Sequence, residues 1–218
     1  MSEVRLPVGR DAFESAADGL REHGWWLGNN ALDSKLVDFL RADLGELMAA
    51  DRLRRAGIGR DSDFHLDGSI RSDRVFWLTR ERPVQQRFLE RMERLRLALN
   101  RELMLGLFEF EAHYAHYPPG GRYRKHYDSF RGAANRVVST VAYLTQNWQP
   151  GDGGELVIYD DAEGDRVVST VEPRAGTFVL FLSEEIPHEV LPCHTDRTSI
   201  AGWFRLNASI GGHVDPAR

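Results

Sequence analysis

The sequence has few of the features that mark secreted, membrane-spanning or nucleic-acid-binding proteins. Its 218 residues include a single cysteine, Cys193, so neither an internal disulfide nor a thiolate zinc site can be built. No apolar run approaches the roughly 20 residues of a helical membrane span, and residues 1–10 lack the apolar core of a secretory signal. Acidic residues outnumber basic ones, 33 to 28, and no basic patch stands out. These absences predict a cytoplasmic protein with neither a membrane nor a nucleic acid as partner.

Hydrophobic spacing predicts helices in the first half of the chain. Apolar residues recur every three or four positions in residues 11–23, after a candidate N-cap at Asp33, and after Pro83 in a stripe that ends at Met104. Between the second and third predicted helices, residues 56–69 contain three glycines and three aspartates. Such a composition is typical of a loop, and we regard this segment as a candidate lid.

From about Glu109 onward, the spacing changes from a helical to a strand-like period. Short runs rich in β-branched and aromatic residues are separated by turns rich in Pro, Gly and Asp. With one earlier run, the predicted strands are residues 74–78, 110–117, 137–144, 155–159, 166–171, 177–182, 189–191 and 198–206. Many short strands at even spacing are typical of a sandwich, jelly roll or barrel. We therefore predict a mainly β fold with N-terminal helices and a jelly-roll core. It would form one domain over residues 1–218, with mostly helical support in 1–105 and the β core in 106–208.

Two histidines and one aspartate are candidate metal ligands. His126 and Asp128 are two residues apart, so their side chains share a face if the segment lies on or just after a strand. His188 lies between apolar residues near the end of the β region. Each residue alone is more often structural than functional. Together they match the facial triad of non-haem iron(II) oxygenases, which leaves three positions of the metal open.

Arg197 begins a strand that is otherwise apolar. A guanidinium at the mouth of a β-barrel is costly without an anion. The anion could be a protein acid, but a metal site nearby favours a dicarboxylate cosubstrate. Arginine suits that role because its planar fork binds a carboxylate through two parallel hydrogen bonds.

The other histidines are not predicted to bind metal. His113 and His116 are three residues apart, so on a strand they face opposite sides. His23, His65 and His194 follow a helix or fall in loops and have no convergent partner in the sequence. No glycine-rich phosphate loop and no nucleophile elbow is present.

A series of short motifs runs in a fixed order along most of the chain, from about residue 20 to residue 206. The motifs are Ile70-Arg71-Ser72-Asp73-Arg74 with Trp77, Tyr117-Pro118-Pro119-Gly120-Gly121 with Tyr123, His126-Tyr127-Asp128, Val141-Ala142-Tyr143-Leu144 with Trp148, Gly153-Gly154-Glu155-Leu156, Pro187-His188-Glu189-Val190, and Arg197 followed by Trp203-Phe204. Each motif alone is weak, whereas the combination is specific. Together they resemble the prolyl 4-hydroxylases of the oxygen-sensing (PHD-like) type, including bacterial members of that family.

The resemblance implies a double-stranded β-helix core and an Fe(II)- and 2-oxoglutarate-dependent dioxygenase activity that yields succinate and CO2. It also implies O2 as cosubstrate, with ascorbate as a candidate reductant. By motif position, the implied iron ligands are His126, Asp128 and His188. The residues implied to contact 2-oxoglutarate are Arg197, Tyr143, Tyr117 and Trp203. The residues implied to lie near the substrate are Asp73, Trp77, Arg71 and Tyr123.

The substrate is the least determined part of this interpretation. The resemblance implies a prolyl residue in a protein or peptide, with a translation elongation factor as one candidate. Two alternatives stay open: a hydroxylase of a free amino acid or other small molecule, and a jelly-roll module that binds metal without turnover. A closed pocket would favour the small molecule, whereas an open groove beside a mobile loop would favour a peptide. The sequence also departs from the animal enzymes, because the loop from Tyr117 to His126 is one residue shorter and Ala201 replaces a usual threonine.

Overall fold

Three helices precede most of the strands. The computed structural model describes residues 12–57, 69–129, 135–160 and 164–207, so residues 58–68 of the predicted lid lie outside the described residues. The helices are α1 (Ala12–His23), α2 (Ser34–Ala49) and α3 (Pro83–Leu103). Asp33 caps α2 as predicted, because its side chain accepts a hydrogen bond from the backbone N–H of Leu36 at 3.0 Å. Within the described ranges, no helix has both the length and the apolar character needed to cross a membrane.

Two antiparallel sheets form the rest of the fold. The strands are β1 (Trp25–Gly28), β2 (Arg54–Arg55), β3 (Arg74–Trp77), β4 (Glu109–Tyr117), β5 (Tyr123–His126), β6 (Arg136–Tyr143), β7 (Leu156–Tyr159), β8 (Val167–Val171), β9 (Phe178–Leu182), β10 (His188–Val190) and β11 (Arg197–Arg205). The larger sheet has the order β1-β9-β6-β11-β4-β3-β2, and the smaller has the order β5-β10-β7-β8. The predicted mainly β fold with N-terminal helices is confirmed.

The two faces of the larger sheet have different roles. On β11, Ile200 and Phe204 belong to the core that the helices form, whereas Arg197 and Ser199 point to the opposite face and line a pocket. Successive side chains of a strand point to opposite faces, so one strand serves both the core and the site. The smaller sheet covers the pocket face, since its apolar residues share a second core cluster with residues of β4 and β6.

Helix α3 shows how apolar spacing produces the first core. Its residues Phe88, Met92, Leu95 and Leu99 recur every three or four positions and are fully buried. Burying a side chain of this size stabilises the fold by roughly 1.5–3 kcal/mol. The predicted continuation of the stripe to Met104 is wrong. That residue caps the helix in a left-handed conformation, with φ of 53°, and is 88% exposed.

A buried carboxylate ties the helices to the larger sheet. Asp43 of α2 accepts hydrogen bonds from the Tyr114 hydroxyl of β4 at 2.8 Å and from the Gln85 amide of α3 at 2.7 Å, and it pairs with Arg82. Burial, followed by the negative charge of Asp43, raises the pKa of Tyr114 above its usual range, so this phenol stays protonated and donates.

Removing the Tyr114 hydroxyl is expected to destabilise the protein. Tyr114→Phe deletes one hydrogen bond to a charged group, which costs roughly 1.5–3 kcal/mol of the free energy of unfolding. Urea denaturation of the metal-free protein measures the loss. Tyr143→Phe is the matched control, because Tyr143 is equally buried but its hydroxyl donates no hydrogen bond to any of the described residues. Equal stability of the Tyr114→Phe variant and the wild type would contradict this account of the network.

Candidate metal and cosubstrate site

The three predicted metal ligands meet at one end of the smaller sheet. His126 ends β5, His188 begins β10, and the two residues are paired directly across these antiparallel strands. Asp128 follows β5 and lies between them, with Oδ1 3.5 Å from Nε2 of His126 and Oδ2 3.7 Å from Nε2 of His188. The three ligand atoms lie within 4.8 Å of one another. A single ion can therefore contact all three side chains.

Hydrogen bonds to the backbone orient both imidazoles toward this point. Nδ1 of His126 donates to the carbonyl of Arg124 at 2.7 Å, and Nδ1 of His188 donates to the carbonyl of Ile186 at 3.0 Å. Because a carbonyl can only accept, Nδ1 carries the proton and Nε2 keeps its lone pair for a metal. The sequence spacing is the same in both cases, since each histidine uses the carbonyl two residues before it.

The charges of the ligands also suit a cation. Burial would raise the pKa of Asp128, but His188, His126 and a 2.6 Å hydrogen bond from Ser139 hold that pKa well below its usual range. Burial, together with the nearby His126, lowers the pKa of His188 to about 4. A carboxylate and a neutral imidazole are the forms that bind metal ions. Two imidazoles and one carboxylate, without thiolates, fit ferrous iron with open coordination positions.

Arg197 lies in the same pocket as the ligand triad and is only 3% exposed. Its Nε donates to the carbonyl of Gly154 at 2.8 Å and its Nη1 to the Ser199 hydroxyl at 3.1 Å. The guanidinium carbon lies 4.9 Å and 5.1 Å from the ring centres of Tyr117 and Tyr143. No acid among the described residues forms an ion pair with it, so its positive charge is buried without a protein anion.

Tyr143 and Trp203 add unpartnered donors to this pocket. The Tyr143 hydroxyl and the Trp203 indole Nε1 are buried without a hydrogen-bond partner in the described structure. Buried polar groups are almost always hydrogen-bonded, so unpartnered donors mark the place of a ligand. A buried cation beside a free phenol fits a carboxylate group. The residues present therefore match a dicarboxylate that spans from the triad to Arg197.

The four residues expected near the substrate do not share one environment. Asp73 and Arg71 are ion-paired, with Nε 2.7 Å from Oδ1, and both line the pocket. Tyr123 also lines the pocket, and its ring stacks on that of His126 with a centroid distance of 3.6 Å. Trp77 is 49% exposed and lies outside the pocket lining. The structure therefore brings three of the four residues to the pocket wall.

His113 is a pocket residue that the sequence reasoning missed. It is buried on β4 opposite Ala201 of β11, and its Nε2 lies 3.5 Å from Nη2 of Arg71. Burial and the charge of Arg71 lower the pKa of His113 to about 4, so its imidazole is neutral. The alternation of side chains along a strand could have indicated this position, because residues 113, 115 and 117 share the pocket-facing side of β4.

Comparison with known proteins assigns the family. The family model of the 2OG-Fe(II) oxygenase superfamily matches residues 112–205, a range that contains the ligand triad and Arg197. The structure of a prolyl-4-hydroxylase from Pseudomonas putida matches with 40% sequence identity and a TM-score of 0.81, over 88% of this chain and 98% of that one. This chain belongs to the 2OG-Fe(II) oxygenase superfamily. The family predicted from the sequence motifs is confirmed, and the protein is a dioxygenase of the prolyl 4-hydroxylase type.

More distant oxygenases share the fold. A prolyl hydroxylase from Trichoplax adhaerens, solved with a peptide fragment of the hypoxia-inducible factor oxygen degradation domain, matches with 23% identity and a TM-score of 0.79, over 88% of each chain. A prolyl 4-hydroxylase from Phytophthora capsici matches with 21% identity and a TM-score of 0.71, over 93% of this chain and 68% of that one. At these identities, the matches establish the jelly-roll fold alone.

Gly154 is expected to be essential for the cosubstrate pocket of this oxygenase. A Cβ at this position would lie 2.9 Å from Cδ of Arg197 and 2.8 Å from Sγ of Cys193. Gly154→Ala would therefore displace the guanidinium and raise the dissociation constant for 2-oxoglutarate, by roughly tenfold or more. Calorimetric titration of the Mn(II)-loaded protein measures the change.

Gly164→Ala is the control for this variant. Gly164 has a similar positive φ, 69° against 75° for Gly154, but nothing lies within 4 Å of its added Cβ. Both variants carry the strain of a left-handed alanine, and only one of them crowds Arg197. Equal effects of the two substitutions on 2-oxoglutarate binding would contradict the steric explanation.

Proposed function

We propose that this oxygenase hydroxylates a prolyl residue of a protein or peptide, with Fe(II) held by His126, Asp128 and His188. The observation that carries the proposal is the convergence of three ligand atoms within 4.8 Å in a pocket that also contains Arg197. When bound, iron and 2-oxoglutarate would supply the oxidant that puts one oxygen atom of O2 into a substrate C–H bond, with succinate and CO2 as co-products. The protein would position these groups and exclude water.

In this proposal, the cosubstrate lies between the triad and Arg197. Arg197 and the unpartnered Tyr143 hydroxyl would hold its far carboxylate. Tyr117, whose ring lies beside the guanidinium, would flank it, and Trp203 would line the wall. Because Arg197 and Tyr143 are buried from solvent, these hydrogen bonds would be stronger than they are in water. The apolar wall includes Leu156, Phe181 and Val190.

Two relatives support a prolyl substrate in a polypeptide. The Pseudomonas putida protein that is 40% identical to this chain is a prolyl-4-hydroxylase, and the Trichoplax adhaerens enzyme was solved with a peptide fragment. In this chain, the exposed ring of Trp77 stands 5.0 Å from that of His113 and 6.3 Å from that of Trp203. We place the peptide against this aromatic surface and Tyr123, with a translation elongation factor as the candidate protein.

Mass spectrometry of candidate substrates tests the proposed function. The protein is incubated with Fe(II), 2-oxoglutarate, ascorbate as reductant, and either proline-containing peptides or a purified elongation factor. The expected product carries one added oxygen on a proline, derived from labelled O2, with one succinate formed per hydroxylation. Succinate formation coupled to a free amino acid, with every polypeptide unmodified, would favour small-molecule hydroxylation instead. The absence of any succinate with active metal-loaded protein would favour a binding module.

A further inference from the structure

A short backbone segment pairs with the outer edge of β5, the strand that carries the proposed ligand His126. Residues 70–72 run antiparallel to β5, with a bridge between Arg71 and Tyr123. The backbone N–H of Arg124 donates to the carbonyl of Ile70 at 3.0 Å. The Ser72 hydroxyl exchanges hydrogen bonds with the backbone of Arg122, at 2.8 and 3.1 Å. This short segment therefore extends the smaller sheet beyond β5 and fixes the backbone that leads to His126.

Side chains on these two segments form one column that ends at the ligand. Arg71 makes two parallel hydrogen bonds to Asp73, at 2.7 and 2.9 Å, and its guanidinium lies 4.8 Å from the ring centre of Tyr123. The Tyr123 ring in turn stacks on His126 with an interplanar angle of 19°. The order of the column is Asp73, Arg71, Tyr123, His126.

His126 needs such a support more than His188 does. The side chain of His188 is 6% exposed and packs against Phe181 at a centroid distance of 4.4 Å, whereas the side chain of His126 is 17% exposed. The hydrogen bond from Nδ1 to the Arg124 carbonyl fixes the tautomer of His126, but one atom does not fix the tilt of the ring. The face-to-face stack with Tyr123 fixes that tilt, and the cation–π contact with the Arg71 guanidinium holds the tyrosine ring in place.

We propose that Arg71, locked by Asp73, is a positioning residue for the iron ligand His126 and acts through Tyr123. This inference rests on the proposed function, since it takes His126 as a ligand. It assigns Arg71 and Asp73 a role in metal binding in place of the direct substrate contact expected from the sequence. The Asp73 side chain is fully buried and both of its oxygens are engaged by Arg71, which leaves it no direct route to a peptide.

Cobalt(II) titration of the metal-free protein tests the inference without turnover. The d–d absorption of Co(II) reports both the dissociation constant and the geometry of the site. Arg71→Ala is expected to raise the Co(II) dissociation constant by about tenfold or more, the size seen when supports of a metal ligand are removed, and to change the absorption spectrum. Arg74→Ala is the matched control, because Arg74 lies three residues along, is half-exposed, and pairs only loosely with Asp51 at 3.6 Å. The control is expected to bind Co(II) like the wild type.

A double-mutant cycle tests the route through Tyr123. Tyr123→Leu removes the stacked ring and is expected to weaken Co(II) binding by itself. Adding Arg71→Ala to that variant is then expected to change the Co(II) dissociation constant by less than about twofold, because Arg71 affects His126 only through the Tyr123 ring. Fully additive effects would overturn the inference. So would an unchanged Co(II) dissociation constant in Arg71→Ala with a raised KM for a peptide, which would assign Arg71 to substrate binding.

Two further measurements keep the test decisive. If Arg71→Ala melts well below the wild type, Asp73→Asn takes its place, since it keeps the shape of the side chain and removes only the charge that locks Arg71. A normal Co(II) spectrum and affinity in a folded Asp73→Asn variant would count against the column. Failure of the proposed function has a different signature: the wild type would then bind no Co(II) at this site, or His126→Ala would bind it equally well.

Discussion

His188→Ala is expected to reduce 2-oxoglutarate turnover to the level of a reaction without protein. The variant removes one of three ligands and leaves Asp128 and His126, which cannot hold iron in a fixed geometry with defined open positions. Succinate release and Mn(II) affinity are measured on the same preparation. His188 is buried and packs against Phe181, so the substitution could also lower the stability of the protein. The melting temperature is therefore recorded as well.

His194→Ala is the control for the loss of His188. His194 lies six residues further along in an exposed position, and its Nδ1 bonds to the carbonyl of Gly151. We expect this variant to retain wild-type metal affinity and turnover. A His188→Ala protein that is folded and still releases succinate at the wild-type rate would refute the ligand assignment.

Arg197→Gln is expected to weaken 2-oxoglutarate binding strongly while leaving metal binding intact. The substitution removes a buried cation that has no described protein anion, so the far carboxylate of the cosubstrate would be buried without a counter-charge. Losing one partner of such a buried pair costs about 2–5 kcal/mol, which corresponds to a rise of roughly 30-fold or more in KM for 2-oxoglutarate. Steady-state succinate assays over a wide range of 2-oxoglutarate give KM, and Co(II) titration gives the metal affinity.

Arg197→Lys separates charge from geometry. Lysine keeps the positive charge but cannot form two parallel hydrogen bonds with a carboxylate, so an intermediate KM is expected. Arg166→Gln serves as the surface control, because Arg166 is exposed and pairs with Asp160. If Arg197→Gln bound 2-oxoglutarate as tightly as the wild type, the far carboxylate would lie elsewhere and the proposed pocket would be wrong.

Much of the fold and of the candidate ligand set could be predicted from residue types and local patterns. Arg197 was predicted because it begins an otherwise apolar strand, and the spacing of two between His126 and Asp128 allows their side chains to converge. The place of Trp203 was implied only by the family motifs. His188 was predicted because two histidines and one carboxylate complete a facial triad. The fold and the pair His126 and Asp128 need only strand periodicity or short-range spacing, which a sequence displays directly.

Other features could not be predicted because they depend on contacts between distant segments. Strand β1 has only four residues and no alternation, and it forms by pairing with the edge of β9. His113 lacked a convergent partner in the sequence, and the cross-strand register with Ala201 gave it a place in the pocket. The mutual burial of Arg71 and Asp73 likewise follows from the pairing of residues 70–72 with β5.

Anomalous scattering from crystals grown with Mn(II) and 2-oxoglutarate tests the central claim most directly. We expect one strong peak within bonding distance of Nε2 of His126, a carboxylate oxygen of Asp128 and Nε2 of His188. We also expect 2-oxoglutarate density that extends from that peak to the guanidinium of Arg197. A metal peak away from these three atoms, or a diacid whose far carboxylate does not touch Arg197, would contradict the claim.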